Sequence, residues 1–489
     1  MQPTRRDIVR QGALAFLPAF ARPDVDKRTE VNDVHSQLNR TCVARVVRPQ
    51  SLEGLRDAIL QARRDGLRVS VSGSRHAMGG QQFGTGMVLL DTRSLNRAIA
   101  FDPASRIMEV EAGIEWPELL GELSRLQAGR ETQFGIFQKQ TGADRLSIGG
   151  ALASNVHGRG LKLKPFIDNV ESFQLMNAEG DMVCCDRSTN ADLFRLAIGG
   201  YGLFGVVTSV RLRLTPRVKV RRVVRIADTE EIPNAFAERI RDGYLYGDFQ
   251  FATDSGRDSF LRRGVFSCYQ PVDPGTPLTE HPTRFHPDDW ARLAYYSHTH
   301  KRLAFDFYTK RYLATSGQIY YHDWQLSAAY QPDYHLQLDR KMHASVKATE
   351  MITEIYVPRS ALVSFMEEAR LALRQEKANL IYGTVRLIER DEESFLRWAR
   401  QSYACVIFNL HVRHDAADLQ SAARAFRTLI DLGIQHDGSF YLTYHRWATR
   451  RQVENCYPQF CEFLAQKLVY DPAEVFQSDW YVHHKALFS

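Results

Sequence analysis

The chain has 489 residues, 44% hydrophobic and 11% aromatic, which suits two or three packed cores and excludes a disordered protein. Its 63 Lys and Arg stand against 57 Asp and Glu, a net charge of +6, with no basic run interleaved with aromatics. That excludes ordinary nucleic-acid binding. The seven cysteines form no C-x-x-C pair, so no zinc or iron–sulfur centre is expected.

The N-terminus reads Thr4-Arg-Arg-Asp-Ile-Val-Arg10, then a short apolar run to Ala21. A basic region, an apolar stretch and small residues at Ala19 and Ala21 fit an export signal over 1–21. The Arg5-Arg6 pair points to the twin-arginine route and a periplasmic protein. The alternative is the amphipathic start of a cytoplasmic helix. No stretch is long and apolar enough to span a membrane.

Strand and helix patterns then alternate to about Pro216. Ser51 is placed to cap a helix carrying Leu55, Ile59 and Leu60 and ending at Gly66. Val69-Ser-Val-Ser-Gly-Ser-Arg-His-Ala-Met-Gly-Gly80 reads as a strand running into a tight loop around Gly73. Backbone N–H groups from Gly73 to Ala77, facing one concavity, would receive a phosphate or diphosphate. Strands follow at Met87–Asp91 and Ile107–Ala112, and a helix begins at Trp116-Pro117. A second glycine stretch runs from Thr141 to Gly160. Its small residues Gly149, Gly150, Ala151, Ala153 and Ser154 leave room for a planar ligand against the backbone, with Asn155 and His157 at the edge. A third, Ile198–Val207, opens a strand ending at Leu214-Thr-Pro216. Adjacent Cys184 and Cys185 read as strand residues that pack. Cys456 and Cys461 could pair in an oxidising compartment, a point the sequence leaves open.

Residues 217–440 change character. Strands rich in Tyr, Phe and Val, such as Leu245–Phe251 and Glu350–Val357, alternate with amphipathic helices. One helix after Pro358 carries Leu362, Phe365, Met366 and Ala369 on one face. Residues 271–335, rich in Pro, His, Tyr and Asp, read as a substrate-side excursion or lid.

The three glycine stretches, in this order and spacing, resemble the FAD-linked oxidases related to vanillyl-alcohol oxidase, with their PCMH-type FAD-binding domain. Gly73-Ser-Arg-His76 resembles the loop of alditol oxidase, aldonolactone oxidases and cytokinin dehydrogenases. Ser147–Gly158, Asp168-Asn-Val170 and Asn177-Ala-Glu-Gly180 are similar to decaprenylphosphoryl-ribose oxidases. The resemblance implies an α+β fold: an FAD-binding domain over 38–217, a substrate (cap) domain over 218–440 with an antiparallel sheet flanked by helices, and a segment 441–489 returning to the FAD domain. It implies FAD held by Ser72, Gly73, Ser74, Arg75, His76, Ala77, Gly142, Ser147, Gly149, Gly150, Ser154, Asn155, Val156, His157, Val207 and Tyr441.

The ribose oxidases lack the first-loop histidine, whereas this chain has His76. No cysteine lies between Cys42 and Cys184. A single histidyl–flavin bond through His76 is therefore expected, without a second thioether link. Glu354 resembles the pocket carboxylate of the aldonolactone enzymes; it faces either inward with a function or outward into solvent. Arg386 resembles the substrate arginine of alditol oxidase, or serves a structural ion pair; that family's glutamate is Thr384 here. Tyr441 resembles the flavin-touching tyrosine of the ribose oxidases, whose lysine three residues later is Tyr444 here. Tyr444 and His445 could relay a proton, though in a strand only one of them can face the flavin. His411 is a weaker candidate. The implied reaction is removal of hydride from a CH–OH group of a small-molecule alcohol, sugar, polyol or lactone. Oxygen or a periplasmic acceptor would then take the electrons. The alternatives are a sugar 2′-oxidation step like that of the ribose oxidases, or a flavin-loaded partner subunit without turnover.

Overall fold

The computed structural model describes residues 29–326 and 333–489; the export-signal segment lies outside them. Strands β1 (Arg45–Val47), β2 (Val69–Ser72) and β3 (Val88–Asp91) form a parallel sheet in the order β1-β3-β2. Helix α1 (Leu52–Arg64) crosses between β1 and β2. Ser51 Oγ caps it by accepting from the Gly54 N–H at 3.1 Å, and Gly66 just beyond its end takes a φ of 68°. Its apolar stripe, Leu55, Ile59 and Ala62, packs with Val69, Val88 and Leu90 in one buried cluster.

A second sheet of the same half is antiparallel. Its strands are β4 (Ala98–Asp102), β5 (Ile107–Glu111), β6 (Val170–Met176), β7 (Met182–Asp186) and β8 (Val206–Arg213), in the order β7-β6-β8-β5-β4. Cys185 is buried on β7 and Cys184 is exposed, as alternation requires. Helix α2 (Trp116–Leu126) begins with proline in its first turn. Helix α3 (Ile148–Ser154) starts at Ser147, whose Oγ accepts from Gly150 N–H at 3.3 Å.

The cap is one eight-stranded antiparallel sheet. Its strands are β9 (Lys219–Asp228), β10 (Tyr246–Phe251), β11 (Arg263–Pro271), β12 (Ile319–Tyr321), β13 (Ala348–Pro358), β14 (Leu380–Ile388), β15 (Tyr403–Arg413) and β16 (Ser439–Phe440). They run in the order β12-β9-β11-β10-β14-β15-β13-β16. Two long amphipathic helices, Leu362–Gln375 and Ala416–Gln435, pack together and against the sheet, burying Leu362, Phe365, Met366 and Ala369 as the periodicity predicts. The weakly periodic excursion contains two 13-residue helices, Pro287–Thr299 and Lys301–Leu313. The second is polar and apolar all round because its aromatics bury against neighbours rather than along one stripe: Phe285, Tyr308 and Tyr312 form an aromatic cluster there.

After β16 the chain does not continue as the strand expected over 438–447. It leaves the sheet edge and crosses to the N-terminal half, where Thr443 O accepts from Gly79 N–H at 3.1 Å and from Gln81 Nε2 at 2.7 Å. The tail also returns there: Val69 N–H donates to Val475 O and Gln477 N–H to Val69 O, seating Phe476 in the β2 core. Cys456 is buried and Cys461 exposed, and both are free. Among the described residues, no helix is long and apolar enough to cross a membrane.

Candidate active site

One cavity of about 750 Å³ runs between the glycine stretches and the cap sheet. The first loop supplies Gly73, Ser74, Arg75, His76 and Ala77 to its wall. The residue of this tight loop that takes the left-handed conformation is Arg75, with φ 61°, and not Gly73. Arg75 is held there by Val34 N–H, which donates to its carbonyl at 3.0 Å, and by Asp91, 3.2 Å from its guanidinium. Glycine at 73 answers a steric demand: a Cβ there would sit 2.0 Å from Ser147 Oγ. The loop and α3 can therefore touch only with hydrogen at that position. Ser74 Oγ donates to Glu115 at 2.6 Å. Ser72 lies on the side of β2 away from the cavity, because Val71 takes the cavity face and strand side chains alternate. Its assignment as a cofactor ligand is thus corrected.

His76 Nδ1 lies 2.9 Å from His35 Nε2, the two rings edge to face. Burial, reinforced by His35, holds the His76 pKa down at about 3, and burial holds His35 at about 4. Both imidazoles are neutral near pH 7.

The second stretch supplies Gly142, Ser147, Gly149, Gly150, Ser154, Val156 and His157, and the third supplies Val207. A Cβ on Gly142 would meet nothing within 4 Å, so this glycine borders open space. Asn155 is the second correction. It ends α3 with φ 47°, accepts from Ile167 N–H at 2.9 Å, and donates to Asp391 and Ser394. All its polar atoms serve the fold, and none reaches the cavity.

From the cap come Glu354 on β13, Arg386 on β14, and Tyr441 and Tyr444 from the crossing segment. Glu354 is 1% exposed, so it faces inward. Its Oε1 lies 2.6 Å from His157 Nε2, and its Oε2 is buried without a hydrogen-bond partner. Arg386 is buried as well, and its Nε has no partner. Tyr441 donates to Ser154 O at 2.5 Å, tying the cap to α3. Burial, then the nearby Glu354 carboxyl, pushes the Tyr444 phenol pKa well up, so it remains a proton donor.

His445 is the third correction. Its neighbour Tyr444 takes the cavity, while the imidazole packs between Phe440 and Trp447. Its Nδ1 accepts from Trp447 N–H at 3.3 Å, so its Nε2 donates to Thr353 Oγ1 at 3.1 Å. Thr353 and Glu354 are adjacent on β13 and point to opposite faces, which puts His445 behind the sheet. Burial drops its pKa to about 3. His411 is half-buried against His298, 4.7 Å between centroids, and does not line the cavity.

Sequence reasoning missed several wall residues. His35, Gln81 and Gln82 come from segments without a motif; Oε1 of both glutamines is buried and unpartnered. The Arg159–Asp248 ion pair at 3.4 Å and the Asn409–Glu350 hydrogen bond at 2.8 Å lie on the cap side. Only Arg159, two residues past His157, carried a local signal. The small-residue wall, the open space at Gly142 and the unpartnered glutamine oxygens fit a long cofactor with a planar, polar-edged ring.

Residues 43–186 match the family model of an FAD binding domain. The chain is 28% identical to cytokinin dehydrogenase 9 of Oryza sativa subsp. japonica, over 35% of this chain and 32% of that protein. It is 32% identical to an uncharacterized oxidoreductase of the fasciation locus of Rhodococcoides fascians, over 35% and 37%. To L-gulonolactone oxidase of Bos taurus it is 26% identical, over 39% and 42%. The match thus spans about a third to two fifths of these relatives. With the cavity built from the same segment, residues 43–186 form an FAD-binding domain, and the chain is similar there to oxidoreductases of the PCMH-type, vanillyl-alcohol-oxidase-related group.

Proposed function

We propose that this protein oxidises a CH–OH group of a sugar, polyol or lactone. The observation that carries the reading is Glu354 Oε2, a buried and unpartnered acceptor in the same cavity as the flavin-binding loops. FAD, when bound, supplies the hydride acceptor at N5 and passes the electrons to oxygen or another acceptor. Gly73–Ala77, Gly142, Ser147, Gly149, Gly150, Ser154, Val156, His157 and Val207 would hold it.

The chain's own groups do the rest. Glu354 Oε2 takes the hydroxyl proton, at an atom where a buried acceptor is otherwise left without a partner. The Arg386 guanidinium holds a substrate oxygen, and the protonated Tyr444 hydroxyl donates to a second. The cap sheet excludes water. The relative named for L-gulonolactone supports a lactone or sugar; those named for cytokinin mark the alternative donor.

A single covalent bond from His76 to the flavin belongs to the same reading. A neutral imidazole is the form able to bond to carbon, and burial keeps His76 neutral. Acid precipitation tests it: flavin should stay in the wild-type pellet and leave with the supernatant in His76→Ala. Export by the twin-arginine route is likewise proposed.

Anaerobic mixing of the flavin-loaded protein with L-gulono-1,4-lactone, alditols and a cytokinin tests the reaction. Bleaching by a lactone or polyol supports the reading. Bleaching by the cytokinin alone moves the donor to a C–N bond. Bound flavin that no donor bleaches makes this chain a flavin-loaded partner without turnover.

A further inference from the structure

The His157–Glu354 contact joins residues 197 positions apart and bridges the flavin half to the cap. Both groups are buried, His157 at 4% and Glu354 at 1% exposure. Both imidazole nitrogens face oxygen: Nε2 meets Glu354 Oε1 at 2.6 Å, and Nδ1 meets Gly158 O at 3.1 Å. A peptide carbonyl can only accept, so Nδ1 carries hydrogen. The short Nε2–Oε1 contact then also needs one hydrogen, since two lone pairs would repel at that distance. It comes from either side: an imidazolium against a carboxylate, or a carboxylic acid against a neutral imidazole. Both arrangements hold the same number of protons and the same net charge, zero.

We propose that His157 and Glu354 act as one neutral, single-proton dyad, in which His157 is the positioning residue that makes Glu354 Oε2 an obligate acceptor. In either arrangement the proton is engaged between Nε2 and Oε1. The second oxygen, Oε2, which no protein group engages, is therefore left with only lone pairs to offer a substrate hydroxyl. When the substrate proton leaves its oxygen and binds Oε2, the dyad becomes cationic.

The surrounding groups suit that neutral state. Tyr356 and Tyr441 ring the imidazole, with centroids 6.3 and 6.4 Å away, and Trp398 lies at 5.1 Å. Cys405 Sγ, from β15, lies within 4.8 Å of the dyad's ligand atoms. Tyr444 and Arg386 complete the set. Burial keeps the three phenols and the thiol protonated, so Arg386 is a wall residue that carries a fixed charge. Arg386 thus brings to the cavity wall a positive charge suited to a substrate oxygen that becomes anionic as its proton leaves. This inference rests on the reaction proposed above for the role of Oε2, but the proton count does not.

The test is nitrogen NMR of the flavin-loaded protein labelled with [15N]histidine, with His157 assigned by its loss in His157→Gln. Near pH 7 the His157 Nδ1 signal should be that of a protonated, pyrrole-like nitrogen, and Glu354→Gln should move the Nε2 signal and leave Nδ1 protonated. A pyridine-like Nδ1 would overturn the dyad, because the pair would then be a lone carboxylate beside an Nε2–H tautomer. Anaerobic flavin reduction by the best donor gives the second readout. His157→Gln should slow it on the order of a hundredfold per bound flavin, and a rate per bound flavin equal to wild type also overturns the dyad. Protonated Nδ1 in a protein whose flavin no alcohol bleaches would defeat the reaction and leave the dyad standing.

Discussion

The two walls of the cavity are built in different ways. On the flavin side, contiguous stretches supply most contacts, and backbone shape does the work: a loop at Gly73–Ala77 and a short helix at Ile148–Ser154 pressed together through a missing Cβ. On the cap side, single side chains from separate strands and a crossing segment converge, and each arrives by register. Glu354 pairs with Ile407, and Arg386 with Cys405. A backbone-built wall tolerates side-chain change except where a glycine must stay small. A register-built wall concentrates its chemistry in a few atoms, so single substitutions should act far more sharply there.

The largest effect that would separate the two walls is Glu354→Gln. Losing the proton acceptor should slow anaerobic flavin reduction on the order of a hundredfold to ten-thousandfold, with flavin content unchanged by absorbance. Loss of flavin as well would show that the cap wall also builds the cofactor site. Next, Arg386→Met should weaken substrate use roughly tenfold to a hundredfold, the worth of one charged hydrogen bond. Here steady-state kinetics should show it mainly in kcat/KM, while urea stability holds.

Two substitutions at sequence motifs should do the reverse. His445→Ala leaves a hole between Phe440 and Trp447 and an unpaired Thr353 hydroxyl, and should cost about 2–4 kcal/mol in denaturant unfolding. Asn155→Ala removes three buried hydrogen bonds and puts a Cβ residue at a left-handed φ without the Asn side chain, for about 2–3 kcal/mol. In both, reduction rate per bound flavin should stay near wild type; a hundredfold fall would return the residue to the chemistry.

The last effect, the smallest per unit change in conditions, concerns acid. His35, His76 and His445 are held neutral by burial at about 4, 3 and 3. In the unfolded chain they take up protons near pH 6.5. The unfolded state therefore binds more protons between about pH 4 and 6.5, and stability falls as pH drops through that window. Each histidine adds a slope of roughly 1.4 kcal/mol per pH unit. His445→Gln should flatten the slope measured by urea unfolding; an unaltered slope would mean that His445 is not buried neutral.

Much of the flavin wall was legible because its determinants are local. Ser51 caps its helix as read, and His76, Gly142 and Gly149-Gly150 line the cavity. The misreadings there, Ser72 and Asn155, are motif residues whose neighbours face the cavity while they do not. On the cap side, Glu354 and Arg386 were legible as types of residue in strands, yet their partners were not. Neither His35 beside His76 nor His157 beside Glu354 follows from spacing along the chain.

From the sequence alone come the alternation of helix and strand, the helix caps, the small residues that let a loop and a helix meet, and the chemical types gathered for the site. These follow from backbone sterics and short-range periodicity. Only the tertiary structure decided that Tyr444 and not His445 enters the cavity, that Gly73 is required by Ser147 and not by its own φ, and that Glu354 Oε1 is occupied while Oε2 has no partner. Those outcomes depend on strand register and on contacts between residues far apart in the chain, and a strand's two faces are told apart only by what packs against each.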